Sequence, residues 1–393
     1  MSFAAALSEH PSPPEAIGEV VGAVLDRLGP EPDLAVLFVS PALAGIASDL
    51  AATVRATLAP RTLIGATAST VIGGPREVEH GPAVSLWAGR TGPVVPVRLA
   101  ARPVDGGLSI AGVPAGVGEG GDRTLLLLAD PFSLPLEALL EAMADDVPEL
   151  TVVGGLASAA RGPGGNRLLL DDEVHRDGAV GVLLPRGVEI TPLVSQGCRP
   201  VGEPMIVTEV DGPLVLGLAG QPALDRLLAL RDAIGEEDRS LFEMGPQVGV
   251  VVDEGLATFG TGDFLIRTVV GVDPDRGGVV IGDRVEVGTT IQFHVRDAAS
   301  ADDELRRLLA DVADVADVAD EDAPGRERGA LVFTCNGRGY PFFGVPDHDA
   351  ELVSELVGPA VAGMACAGEI GPIGARSHLH GFTASILLFR TCP

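Results

Sequence analysis

An arginine and a glutamate stand in two short glycine-rich stretches, TCNGRG over residues 334–339 and AGEIGP over 367–372. A guanidinium grips a carboxylate through two parallel N–H donors, and a carboxylate accepts from an ammonium. Arg338 and Glu369 together therefore suit the two ends of a zwitterion such as an amino acid. They suit each other equally well, as an ion pair bracing two loops, and both readings stand. Gly337, Gly339, Gly368 and Gly371 lack a Cβ and let backbone N–H groups come close to a bound molecule. Asn336 reads first as a turn-former and second as a ligand contact. Cys335 invites a nucleophile reading with His378 or His380 as base. No Ser/His/Asp signature accompanies it, however, and cysteine is commonly a small buried residue. Arg267 and Arg296-Asp297 lie in or just past apolar runs, where a structural Arg–Asp pair outranks ligand binding. His378 and His380, two apart on a strand, would share a face, but no third metal ligand stands at a suitable spacing.

Both loops need strands before them. Residues 330–333 form an apolar run ending at the first loop, and 360–364 form another ending at the second, with a helix over 347–357 between them. Polar turns beyond the C-terminal ends of parallel strands are where open α/β sheets place ligands. The same grammar occurs earlier in the chain. Strands at 34–39 and 124–128 each lead through a polar turn and a helix (42–58, 136–143) into a short strand that meets glycine. Ser40 to Gly65, Asp130 to Gly154 and Cys335 to Gly363 are similar distances. This pattern predicts an α/β fold of repeated βαββ units forming mixed sheets with outer helices. Two sheets packed between helical layers is the expected arrangement. Residues 1–30 read as a loose lead-in with a helix near 15–28. Residues 31–200 and 201–393 read as two related domains, the second carrying an acidic low-complexity stretch at 310–322.

Composition narrows the function. Acidic residues number 55 against 27 basic ones, all arginine, for a net charge of −28. Such a surface repels phosphate backbones and anionic lipid, which argues against nucleic-acid partners. A P-loop is excluded for want of a lysine. No apolar stretch approaches the length of a membrane span, and the N-terminus lacks the pattern of a signal peptide, so no membrane insertion is expected. The four cysteines form no CxxC pair. They fit a reducing cytoplasm better than a disulfide framework or a metal centre.

Several stretches together resemble one known family, the FIST proteins, with a FIST N region followed by a FIST C region. The matching segments are LFVSP at 37–41, IGATASTVIGGPRE at 64–77, SQGCRPVGEP at 195–204, FLIRTVVGVD at 264–273, IQFHVRD at 291–297, TCNGRG, AGEIGP, and LHGFT at 379–383. The resemblance implies a cytoplasmic sensory module that binds a small ligand, an amino acid or similar metabolite. Relatives fused to kinase, cyclic-dinucleotide or chemotaxis domains, or to an F-box, carry their own output. This chain looks like a stand-alone sensor that would signal through a separate kinase or other output protein. The ligand-binding residues expected on this basis are Cys335, Asn336, Gly337, Arg338, Gly368, Glu369, His380, Arg267 and Arg296, with no catalytic or metal residue assigned. Some relatives bind haem, for which His294 and His380 are the axial candidates. A haem gas sensor and a Cys335-dependent enzyme are the alternatives.

Overall fold

The computed structural model describes residues 2–104, 107–113, 123–186, 188–320 and 327–391. It divides into two compact units, one of residues 1–194, 306–379 and 383–393, the other of 195–305 and 380–382.

The first unit begins with β1 (Phe3–Ser8), α1 (Pro13–Leu28), β2 (Leu34–Val39), α2 (Ala47–Thr57), β3 (Thr62–Thr67), a hairpin of β4 (Val71–Gly73) and β5 (Arg76–Val78), and β6 (Val84–Gly89). Next come β7 (Val95–Val104), β8 (Gly107–Ala111), β9 (Arg123–Ala129), α3 (Leu136–Asp146), β10 (Leu150–Leu156), a hairpin of β11 (Leu168–Leu170) and β12 (Glu173–His175), β13 (Ala179–Leu183) and β14 (Glu189–Gln196).

The second unit is all but filled by a barrel. Its strands are β15 (Cys198–Asp211), β16 (Leu214–Leu218), β17 (Gln221–Pro222), β18 (Gln247–Val251), β19 (Phe264–Asp273), β20 (Gly278–Ile281) and β21 (Thr290–Arg296), with α4 (Ala223–Ala233) and α5 (Glu236–Glu243) inserted. The order β15-β21-β18-β19-β20-β16 closes because β16 pairs back onto β15. Closure removes the exposed edges that an open sheet would leave. Phe293, Val248, Val295 and Ile281 fill its core, with Phe242 of α5 set edge-on to Phe293.

The chain continues in α6 (Ala298–Asp320), β22 (Arg328–Cys335), α7 (Tyr340–Phe343), α8 (His348–Val357), β23 (Val361–Cys366), the hairpin β24 (Glu369–Ile373) and β25 (Arg376–His380), and β26 (Thr383–Arg390). The acidic run is thus helical as far as Asp320. Residues 321 and 322 lie outside the described residues.

The first unit holds three mixed sheets with one order in common. They run β1-β6-β2-β3-β11-β12, then β8-β7-β13-β9-β10-β24-β25, then β14-β26-β22-β23-β4-β5. Each centres on one parallel pair joined through a helix: β2 with β3, β9 with β10, β22 with β23. After its second parallel strand, each segment sends its hairpin to a neighbouring sheet. The first gives β4-β5 to the third, the second gives β11-β12 to the first, and the third gives β24-β25 to the second. The inner faces of all three sheets meet in one apolar core that includes Phe38, Leu128, Val153, Phe333 and Met364. Trp87 and Phe389 pack there at 4.9 Å between ring centroids. Helices cover the outer faces, α1 and α2 on the first sheet and α3 on the second.

The fold is α/β with mixed sheets and outer helices, as the sequence suggests, but three sheets surround one core where two were expected. The lead-in also proves ordered, since residues 3–8 are β1, paired along their whole length with β6. No helix among the described residues is long and apolar enough to cross a membrane.

Candidate functional site

The parallel pair β22 and β23 ends in register, Cys335 beside Cys366. Two loops leave from there. The Asn336 N–H bonds to the Cys366 carbonyl at 3.0 Å, and the Arg338 N–H turns back to the Cys335 carbonyl at 2.9 Å. That turn carries the Arg338 side chain inward, where only 1% of the residue is exposed.

Arg338 meets Asp349, in the first turn of α8, as a two-pronged fork: Nε to Oδ2 at 2.8 Å and Nη2 to Oδ1 at 2.9 Å. Neither side chain touches solvent. Burial by itself would raise the Asp349 carboxyl, but the Arg338 guanidinium and the His348 hydrogen bond hold it below the ordinary aspartate value. His348 Nδ1 lies 2.9 Å from Asp349 Oδ1, and its ring stacks on Phe343 at 3.5 Å, with the Arg338 guanidinium 5.1 Å from the same ring centroid. The hairpin from the first segment completes this wall. Glu77 Oε1 accepts the Ala350 N–H at 2.9 Å, and Asp347 Oδ1 accepts the Glu77 N–H at 2.7 Å. Burial, with Asp349 and Asp347 nearby, pushes the Glu77 carboxyl up to about 8.

Glu369 opens β24, where the hairpin crosses to the second sheet beside Gly155 of β10. It is fully buried. Its Oε2 accepts two hydrogen bonds from Thr383, from N at 3.1 Å and from Oγ1 at 2.9 Å. Burial raises its carboxyl to about 8, against the pull of the Thr383 donors, the Arg338 charge and the Cys335 thiol. The acid is therefore mostly neutral at pH 7. Its proton belongs on Oε1, because Oε2 already receives two donors. Among the described residues neither Glu369 Oε1 nor Arg338 Nη1 has a hydrogen-bond partner. A buried donor without an acceptor is costly, and Arg338 Nη1 is one.

Cys335, Asn336, Gly337, Arg338, Gly368 and Glu369 all belong to this part of the first unit. Arg338 forks onto Asp349 instead of Glu369, which corrects the simple brace between the two loops. Asn336 is exposed, with Oδ1 3.8 Å from the Cys335 sulfur. The Gly368 carbonyl accepts the Leu156 N–H at 2.8 Å and ties the loop to β10. Gly339 packs against the Glu79 carboxylate, 2.7 Å from where a Cβ would stand, and that side chain would have to move aside for a larger residue. The other three expected residues belong to the second unit. Arg267 bonds Asp283 at 2.6 Å, Arg296 lies 4.3 Å over the Phe382 ring, and His380 is buried. Asp297, paired in the sequence with Arg296, binds Arg199 at 2.5 Å.

His294 does not fit haem as an axial ligand. His294 is buried, edge-on to Phe264, with Nδ1 3.0 Å from the Gln292 carbonyl. A Cβ added at Gly249 would fall 2.3 Å from its Cε1, so the ring is closed in and no macrocycle can lie against it. Burial drives its pKa down to about 4 despite the Gln292 bond. Among the described residues no three or more His, Cys, Asp or Glu side chains are grouped to hold a metal ion.

Sequence reasoning missed Asp349, Glu77, Thr383 and Cys366. The acids at the start of α8 read as ordinary first-turn charges, which favour a helix N-terminus wherever they point. One signal was present. An arginine placed in a glycine turn between two apolar strands needs a counter-charge, and the next helix supplies it.

The model of the FIST N domain matches residues 33–221, and that of the FIST C domain matches 223–372. An uncharacterized protein of Mycobacterium tuberculosis strain H37Rv is 42% identical over 395 residues, covering 99% of this chain and 100% of its own length. An uncharacterized protein of Mycobacterium bovis is 43% identical over 385 residues, covering 96% of each. With both domain models matched in order over nearly all of its length, and relatives this similar end to end, the chain belongs to the FIST family.

Proposed function

We propose that this protein is a cytoplasmic, non-enzymatic sensor whose small ligand, an amino acid or similar carboxylate metabolite, is held by Arg338 and Glu369. FIST domains are associated with small-ligand sensing and signalling. The observation that carries the assignment is the pair of buried polar atoms without partners, Arg338 Nη1 and Glu369 Oε1, on side chains close enough for each charge to act on the other. Both are donors at neutral pH, so the group they suit is an acceptor such as a carboxylate. This revises the zwitterion clamp, because a neutral Glu369 offers an ammonium little. The net charge of −28 disfavours polyanionic partners, and output would pass through a separate protein.

The two ligand orientations differ in the sign of their pH dependence. A carboxylate bonded by the Glu369 proton is released as that proton leaves, so affinity falls about tenfold per unit above pH 8. An ammonium bonded by the Glu369 carboxylate gives the opposite trend, with affinity rising up to pH 8. A thermal-shift screen of amino acids and small carboxylates first identifies a binder. Titration calorimetry from pH 6.5 to 9.5 then reads the sign. Glu369→Gln keeps a donor at the Oε1 position and should bind with the pH dependence abolished, whereas Glu369→Ala should lose binding. If no member of the screen raises the melting temperature, this assignment fails.

A further inference from the structure

We propose that Cys335 and Cys366 form a redox-active dithiol that closes to a disulfide between β22 and β23 when the protein meets a hydroperoxide. The two residues are register partners on adjacent parallel strands, so their side chains leave the same face of the sheet. Neighbouring strands lie about 4.8 Å apart, inside the range of about 4.4–6.8 Å that disulfide Cα atoms span. Their strand ends are pinned together by the Asn336 to Cys366 hydrogen bond. Room for the second sulfur comes from a glycine, since a Cβ at Gly155 would lie 2.3 Å from Cys366 Sγ.

The two thiols differ in the way a reacting and a resolving cysteine differ. Cys335 is 9% exposed and Cys366 is not exposed at all, so a reagent meets Cys335 first. The Gly337 N–H points at Cys335 Sγ from 3.4 Å, and the positive charge of Arg338 acts on the same sulfur. Both place positive charge where the attacking sulfur carries its negative charge. The ionised fraction of Glu369 is the base at hand. Cys366 has no such support: burial raises its thiol well above the ordinary value, with Glu369 and Cys335 adding to the rise.

The chemistry closes without a further reagent. Glu369 takes the Cys335 proton. The thiolate attacks one oxygen of the hydroperoxide, the O–O bond breaks, and the alcohol leaves with the proton from Glu369, giving a sulfenic acid on Cys335. The Cys366 sulfur then attacks the Cys335 sulfur, and hydroxide leaves as water with the Cys366 proton. The sum is dithiol plus hydroperoxide giving disulfide, alcohol and water. A small dithiol reverses it by exchange.

The test treats the full-length protein with a few equivalents of hydrogen peroxide, then denatures and alkylates it. Two of the four cysteines should become unreactive, the mass should fall by two hydrogens, and dithiothreitol should restore both. Trypsin cuts after Arg328, Arg338 and Arg376, so the bridge should join peptide 329–338 to peptide 339–376. Cys366→Ser should instead leave a Cys335 sulfenic acid that dimedone traps. Four alkylatable thiols after peroxide, or a bridge involving Cys198 or Cys392, overturns the proposal. Neither result bears on carboxylate binding, which the calorimetry reads separately.

Discussion

Asp349→Ala lowers the unfolding free energy by about 3–5 kcal/mol. The number comes from what is left behind. Arg338 is 1% exposed and its guanidinium stays charged in any protein, so removing Asp349 leaves a buried cation without its hydrogen-bonded counter-charge. Burial of an unpaired ion costs more than the pair contributed, which is why breaking a buried pair differs from replacing it. Arg338→Met with Asp349→Leu removes both charges and keeps apolar volume, so the double variant should recover most of the lost stability. It also deletes the Nη1 donor, and it should therefore fold yet bind no carboxylate. Urea denaturation of the two single variants and the double variant checks this. A loss under about 1 kcal/mol for Asp349→Ala would mean that the pair is worth no more than a surface one.

The same residues show what a sequence reveals and what it withholds. The parallel pairs were legible because strands buried on both faces read as unbroken apolar runs: Leu34–Val39 is buried at every position, and Arg328–Cys335 at every position but the first. Strand β1 was not legible, because FAAALS is mostly alanine, which carries little strand preference. The hairpin transfers were hidden for a different reason. Strands β4 and β5 have three residues each, and β4 finds its partner in β23, nearly 300 residues later. Nothing local in VIG or REV announces that. Barrel closure rests likewise on one pairing, β15 with β16. At the site, Arg338 and Glu369 stood out because charge in a glycine turn is conspicuous. Glu77 carries no such mark in the sequence, because its place against α8 comes from the hairpin transfer.

Gly363→Ala costs about 3–5 kcal/mol by forcing two strands apart. Gly363 faces Val332 across β22 and β23, and a Cβ there would stand 2.0 Å from the Val332 carbonyl oxygen. That obstacle is backbone, so no rotamer change relieves it. Either the ladder opens or the carbonyl turns away and loses its bond. The same meeting occurs in the other two sheets: Gly65 against the Leu37 oxygen at 2.2 Å, and Gly154 against the Leu127 oxygen at 1.9 Å. These are the three glycines whose spacing from the preceding polar turn marks the chain. Each falls mid-strand in the second member of a parallel pair, so each reports the same close approach, and Gly65→Ala and Gly154→Ala should cost similar amounts. Gly18→Ala is the control. It lies on the exposed side of α1 with nothing within 4 Å of the added carbon, and it should stabilise by roughly 0.5–1 kcal/mol. Chemical denaturation of all four variants gives the comparison. Should Gly363→Ala behave like Gly18→Ala, the tight contact between β22 and β23 is wrong, and the register that sets Cys335 beside Cys366 loses its support.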